Sequence, residues 1–453
     1  MTPWIKRILA PVLGLAACMT AAQALAAQGS AAAEPPPLAL VGGALIDGRG
    51  GAPVPDSVVL IRGRRIEAVG TTATLPPPAG YKVISTEGMT VMPGLWDMHT
   101  HLQYSAHTDL GYWNAKYQPR MEREIMPAIA GQLLMAGVTS ARDAMAPLDP
   151  ILRVKDRIAR GEIPGPTLYV AGALLEHRPP AGAEAFRWPV SGVADAKAKV
   201  DLLADKGVDF IKMLCVPDMP QEDANAIVAE AHVRGLKVLA HGREDAEIRK
   251  CLAADVDEFE HLGTRALLPE DIVAGIRART RPLYWTPTIG SPVNYRYLLT
   301  NREMLDGPEW RQGLPADVVA DVQASLKNLP AAIRGSPNTY ASDLDLYRTK
   351  FEQVRGAGAK MLVGADAGGP GHFHPYGLWL ELDAWVNHMG VDPMEAIRTA
   401  TAFAAETMGV GKDYGTVEAG KYADVIVVDG DPLRHIEVLR RPVVVIKSGR
   451  QVK

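Results

Sequence analysis

The chain has 453 residues, 47% hydrophobic and 22% charged, with a formal net charge of −4. That composition belongs to a folded chain with one large domain and a smaller one, and argues against disorder. Without a block of Lys/Arg it offers no electrostatic footprint for nucleic acid or an anionic membrane, so the expected partner is a small molecule.

Residues 1–26, with Lys6 and Arg7 before an apolar core and Ala24-Leu25-Ala26 at its end, have the layout of a cleaved secretory signal. The apolar stretch is shorter than the roughly 20 residues a membrane span needs. A second processing reading exists: "LAAC", Leu15 to Cys18, resembles a lipobox in which Cys18 would be lipidated. Either route exports the protein, to the periplasm or beyond. Cys215 and Cys251 survive both, and two cysteines are too few for a disulfide framework, so the fold must rest on its core.

After a Pro/Ala-rich linker, 27–37, residues 38–92 alternate short β-branched runs with Gly, Pro and Asp, which predicts hairpins. Residues 415–453 have the same character, so both ends are β-rich and the middle is not. The apolar run "VISTEGMTVMPGLWDM" reads as a strand leading to His99 and His101. Between the ends, over 93–414, short apolar runs alternate with helical patterns: "GVTSARDA", "TLYVAGAL", "VDFIKMLC", "KVLAHGR", "VDEFEHLG", "PLYWTPTI" and "AKMLVGADAG". The alternation predicts an α/β fold, a parallel (β/α)8 TIM barrel. A doubly wound sheet is the alternative, without a Gly-rich phosphate loop to favour it. "DPMEAIRTATAFAAETMG" predicts a helix with Asp392 as N-cap, Pro393 at its first position and Glu395 closing a capping box. Residues 294–347, rich in Pro, Asn and Arg, read as an insertion or lid.

Residues i and i+2 of a strand share a face, so His99 and His101 can chelate one metal from a strand end. Alone, such a pair is as often structural. Lys212, His241, His261 and Asp366 however lie at the ends of four further predicted strands, where barrel enzymes place their chemistry. Each has a bland alternative: a core histidine, a turn aspartate, a snorkelling lysine. All would have to hold at once.

The motifs "VMPGLWDMHTHL", "GVTSARDA", "FIKML", "AHG", "EFEHLG", "GADAG" and "GTVEAGKYADVIVVDGDPL" resemble those of the amidohydrolase superfamily, and the resemblance implies a small β-sandwich beside the barrel, made from residues 38–92 and 415–453. The pattern is most similar to an imidazolonepropionase-like subgroup with a lysine on the fourth strand, to Xaa-Pro dipeptidases and carboxypeptidases, and to ochratoxin-hydrolysing amidases. The resemblance implies two divalent ions, zinc by ligand type although manganese, iron or cobalt also fit. It also implies that Lys212, carboxylated to N6-carboxylysine, bridges them. His99, His101 and Asp366 would hold one ion and His241 and His261 the other. A hydroxide between the ions would attack an amide carbonyl, with Asp366 as general base.

The implied substrate is a small acylated amino acid or dipeptide. Cyclic amides, lactones or aromatic xenobiotic amides are the alternative, and a non-catalytic scaffold is the rival outside enzymes. Tyr169, Arg178, Arg243, Arg265, Tyr295, His372 and His374 are candidate substrate contacts, with Arg187 and Tyr297 on nearby loops. A homo-oligomer is expected.

Overall fold

The computed structural model describes residues 35–263, 266–300, 303–329, 331 and 344–453. The expected export signal with Cys18, and Arg265, lie outside them. Strands β1 (Leu38–Val41), β2 (Ala44–Leu45), β3 (Ser57–Arg62), β4 (Arg65–Thr71), β5 (Lys82–Ser85) and β6 (Met89–Pro93) come first. The central part carries β7 (Leu95–Thr100), β8 (Val138–Asp143), β9 (Thr167–Val170), β10 (Leu174–Glu176), β11 (Arg187–Pro189), β12 (Ile211–Met213), β13 (Val238–His241), β14 (Glu258–Glu260), β15 (Tyr284–Thr286) and β16 (Lys360–Met361). Strands β17 (Val425–Asp429), β18 (Val444–Lys447) and β19 (Arg450–Gln451) end the chain.

The terminal strands make two sheets, ordered β4-β3-β1-β5 and β19-β18-β17-β6-β2. In the second, β17 from the C-terminal segment pairs antiparallel with β6, Val425 opposite Pro93 and Asp429 opposite Met89. Alternate residues of both sheets, among them Leu38, Leu40, Val59, Ile61, Val91, Val425, Val427 and Ile446, share one buried apolar cluster. Both chain ends therefore contribute to one core.

The centre is a mixed α/β arrangement. It holds two parallel sheets, β7-β8-β9 and β11-β10-β12-β13-β14-β15-β16, with helices such as Leu148–Ala159, Gln221–Val233 and Asp245–Ala253 between strands. The expected closed eight-stranded barrel is not present as one continuous ladder. The sheets are joined instead by single links. Asp209 N donates to Val170 O at 2.9 Å, Met98 N to Val363 O at 3.1 Å and Asp366 N to His99 O at 2.8 Å, and Thr100 forms an isolated bridge with Ala367. Among the described residues no helix is long and apolar enough to cross a membrane.

Several local expectations change. The run before His99 is three strands, because a turn with Gly88 at φ 76° separates β5 from β6 and Gly94 separates β6 from β7. A Cβ on Gly94 would collide with the Thr139 side chain, so this close approach of β7 to β8 requires glycine. Asp392 caps as predicted, accepting from Met394 N and Glu395 N at 2.9 and 3.2 Å, but the Glu395 carboxylate turns to Arg355 and leaves the capping box half-formed. That helix also breaks into Pro393–Thr399 and Ala402–Thr407, and the freed Ala400 carbonyl accepts from Trp96 N of β7 at 2.8 Å.

The described part of 294–347 is helical and docked rather than loose. Trp310 is fully buried, and Gln132 donates to its carbonyl at 2.7 Å. Cys215 and Cys251 form a disulfide, Cα atoms 6.0 Å apart. The cysteine count excludes a framework, but not this single bridge, which ties the segment after β12 to the helix after β13.

Candidate metal centre

Alternation along β7 brings His99 and His101 to one side. Their Nε2 atoms are 3.2 Å apart, and each faces Asp366 Oδ1, at 3.5 and 3.2 Å respectively. From β14, His261 places Nδ1 3.6 Å from Asp366 Oδ2, and one ligand atom each of His99, His261 and Asp366 lie within 4.8 Å of one another. The His261 ring is fixed by Thr288 Oγ1 at 2.9 Å, and its backbone carbonyl by Trp285 Nε1 at 2.6 Å. His241, at the end of β13, stands edge-on to His261 with ring centroids 4.7 Å apart.

Lys212 on β12 is fully buried, and its Nζ has no hydrogen-bond partner; Glu260 Oε1 is 4.0 Å away. Burial, helped by the nearby Arg142 charge, pushes the amine down to about 8. Burial, together with the Lys212 charge, holds His99 and His241 below the ordinary imidazole range, and burial followed by the Arg243 charge holds His261 there. Neutral imidazole is the metal-binding form. Burial opposes ionisation of Asp366, but the His99, His101 and Arg243 side chains outweigh it and keep the carboxyl well below its usual range.

The chemistry of this donor set fits divalent cations. Besides Lys212 Nζ, the Nδ1 atoms of His101 and His241 are buried without a hydrogen-bond partner, whereas buried polar atoms are nearly always paired. Imidazoles and a carboxylate are the nitrogen and oxygen ligands that zinc, manganese or iron take.

Sequence reasoning missed the support beneath these ligands. Glu260, fully buried, accepts the His99 Nδ1 proton at 2.5 Å. Buried Arg142 of β8 lies 3.1 Å from Glu260 and donates to Glu258 at 2.5 and 2.8 Å and to the Met98 carbonyl at 2.7 Å. The signal was available in "EFE": two acids flanking one apolar residue on a central strand share a buried face and demand a partner.

The expected substrate contacts divide. Arg243 reaches the centre, Nη2 3.5 Å from His261 Nε2. The Tyr295 hydroxyl lies 3.4 Å from where a Cβ on Gly369 would be, beside the loop after Asp366, while Tyr297 is half-buried against the main core. His372 is fully buried with both ring nitrogens unpartnered, and burial takes it down to about 4. His374 instead donates from Nε2 to the His101 carbonyl at 3.2 Å, so it positions a ligand. Tyr169 is a correction: it stacks on Trp96, centroids 5.6 Å apart, in a cluster with Phe403 and Tyr414 at the opposite ends of the strands. Arg178 is another, for its side chain is 76% exposed and paired with Asp218. Arg187 is already neutralised by Glu176.

Residues 90–452 match the amidohydrolase family. The chain belongs to that family. Ochratoxinase of Aspergillus niger is 26% identical over 465 residues, covering 91% of this chain and 85% of that protein. Imidazolonepropionase of Halobacterium salinarum is 24% identical over 390 residues, covering 84% and 87%. Among solved structures, a prolidase complexed with N-methylphosphonate-L-proline is 25% identical with a TM-score of 0.70, covering 92% of this chain and 99% of that one. The protein is thus a metal-dependent amidohydrolase acting on carbon–nitrogen bonds of the amide type.

Proposed function

We propose that this amidohydrolase is binuclear and hydrolyses the amide bond of a small acylated amino acid or dipeptide. The observation that carries the reading is Lys212: a fully buried amine without a hydrogen-bond partner, 4.0 Å from Glu260 and depressed to about 8. Such an amine is partly neutral near pH 7 and can add to carbon dioxide, releasing a proton and leaving a carbamate that would help to hold two divalent ions. His99, His101 and Asp366 would hold one and His241 and His261 the other.

Divalent ions so held supply Lewis-acid polarisation of the amide carbonyl and water acidic enough to attack at neutral pH. Asp366 takes the proton of the attacking water and passes it to the leaving nitrogen. It is held ionised for the first transfer, and the imidazoles around it fix its direction. Glu260 sets the tautomer of His99, so that Nε2 presents its lone pair.

For the frame, we take the two parallel sheets as one (β/α)8 barrel of β7–β9 and β12–β16, supported by the hydrogen bonds across both seams. The terminal sheets are taken as a sandwich, supported by their shared core. Export is supported by the Cys215–Cys251 disulfide, since such bridges persist in oxidising compartments. The mass of the mature N-terminus separates cleavage after Ala26 from lipidation at Cys18.

Metal analysis of the purified, zinc-reconstituted protein tests the centre. About two ions per chain are expected, with loss of metal and activity together in Lys212→Ala. A wild-type chain saturating at one ion, or Lys212→Ala retaining two, refutes the binuclear reading. The 26% identity with ochratoxinase over 91% of this chain favours one further reading, an aromatic xenobiotic amide as substrate, with cyclic amides or lactones on the same centre. Matched amide and ester substrates separate these, because only the amide needs its leaving group protonated.

A further inference from the structure

Of the described cations around the centre, one forms no ion pair. Arg142 is held by Glu258 and Glu260, Arg187 by Glu176 and Arg178 by Asp218. Arg243 forms no ion pair with any described residue, and its Nε is a buried atom without a hydrogen-bond partner. The acid nearest it in sequence, Glu247, accepts from the backbone N–H groups of Arg243 and Glu244 at 3.2 Å and so serves the helix start. Gly263 makes room for the Arg243 stem: a Cβ there would lie 3.0 Å from Arg243 Cγ and 3.1 Å from its Cα.

A guanidinium over His261, next to a site fitted for two divalent ions, is electrostatically unfavourable until an anion joins it. Planar and forked, it matches a carboxylate with two parallel hydrogen bonds. Because it borders a ligand, the carboxylate it meets must lie within a few bonds of the scissile amide. Resting on the amidohydrolase reading, we infer that Arg243 binds the free α-carboxylate of the leaving amino acid. The enzyme then selects C-terminal amide bonds, and rejects the same bonds when the carboxylate is capped.

The test uses the zinc-reconstituted full chain and a panel of N-acetyl amino acids, each paired with its carboxamide. For wild type, kcat/KM on the acids should exceed that on the carboxamides by about 100-fold, the worth of a charge-assisted bidentate contact. In Arg243→Gln that ratio should fall to within about 3-fold with zinc content retained, and Arg243→Lys should lie between. Equal rates in wild type, or an unchanged ratio in Arg243→Gln, overturns the inference and leaves the amidohydrolase reading standing. Loss of zinc in Arg243→Gln overturns it too, by making Arg243 a prop for His261. If no pair is hydrolysed although zinc is bound, the small-acyl substrate reading fails, and calorimetry with the free amino acids and their amides decides. Carboxylate-dependent binding lost in Arg243→Gln upholds the inference; identical binding by both proteins overturns it.

Discussion

Glu260→Gln isolates the part of the centre that lies beneath a ligand. The Glu260 carboxylate accepts the His99 Nδ1 proton at 2.5 Å, both residues being fully buried, so its charge makes the opposite nitrogen a better donor to a cation. Glutamine retains an acceptor and nearly the same volume but loses the charge. Such outer partners are worth about 10–100-fold in metal affinity, or about 1.4–2.7 kcal/mol. The fold should lose less than a severed buried pair usually costs, because Arg142 keeps Glu258 at 2.5 and 2.8 Å. Lys212, without the charge 4.0 Å from its amine, moves further toward the neutral form that carbamylation needs. The ion on the His99 side should therefore loosen alone. A zinc titration against a competing chelator should show one of two affinities weakened by about 10–100-fold. Glu258→Gln is the control, since Glu258 pairs with Arg142 and accepts from Thr286, whereas the His99 Nδ1 partner is Glu260. Unchanged zinc affinity in Glu260→Gln, or equal weakening in both variants, would refute the argument.

Asp366→Asn should retain most of the metal and lose about 100- to 10,000-fold in kcat; normal turnover with normal zinc content would remove Asp366 from proton transfer. Cys215→Ser should lower stability in denaturant by about 2–4 kcal/mol, as expected for a cross-link between cysteines 36 positions apart, and an unchanged midpoint would mean the bridge is not formed in solution. Buried Glu381, raised to about 8 by desolvation, contributes stability that is complete below its unfolded value near 4.5 and is lost as pH rises through 8. Melting curves of Glu381→Gln should accordingly vary less between pH 5 and pH 9 than those of wild type, and parallel profiles would show that Glu381 does not carry this dependence.

The sequence makes the proposed ligands legible and hides their supports. His99 and His101 are visible because a period of two needs no tertiary knowledge, and Lys212 because a cation in an apolar run is anomalous. Arg142 and Glu260 sit 118 residues apart, so neither is anomalous until β8 and β14 are brought together. Tyr169 shows the opposite failure. Its position at a strand end suggested the site, but only the packing of Trp96, Phe403 and Tyr414 reveals which end its ring serves. The Cys215–Cys251 bridge is invisible to a count of cysteines for the same reason: it depends on where β12 and the helix after β13 end. His374 was read as a substrate contact because the loop after Asp366 was unreadable. Gly368 and Gly371, at φ 114° and 68°, turn that loop back on itself and aim the ring at the His101 carbonyl.

The period of two fails at one further place, and the reason is physical. Glu260 and His261 are adjacent, so a regular strand would point them to opposite faces, yet Glu260 supports His99 while His261 lies within 4.8 Å of it. His261 resolves the conflict by leaving the strand at φ 74°, in the left-handed region that residues with a Cβ rarely adopt. Asp366 does the same at φ 53°. Each such residue costs about 1–3 kcal/mol and persists only where its surroundings over-determine it. Here they do: Thr286 O accepts the His261 N–H at 2.7 Å, and His99 O accepts the Asp366 N–H at 2.8 Å. Gly364, whose added Cβ would come 2.8 Å from His99 N, lets the chain before Asp366 run that close. Two of the six proposed ligands thus reach the centre only through strained backbone. An alternating pattern can locate such residues at strand ends, but it assigns their side chains to the wrong face.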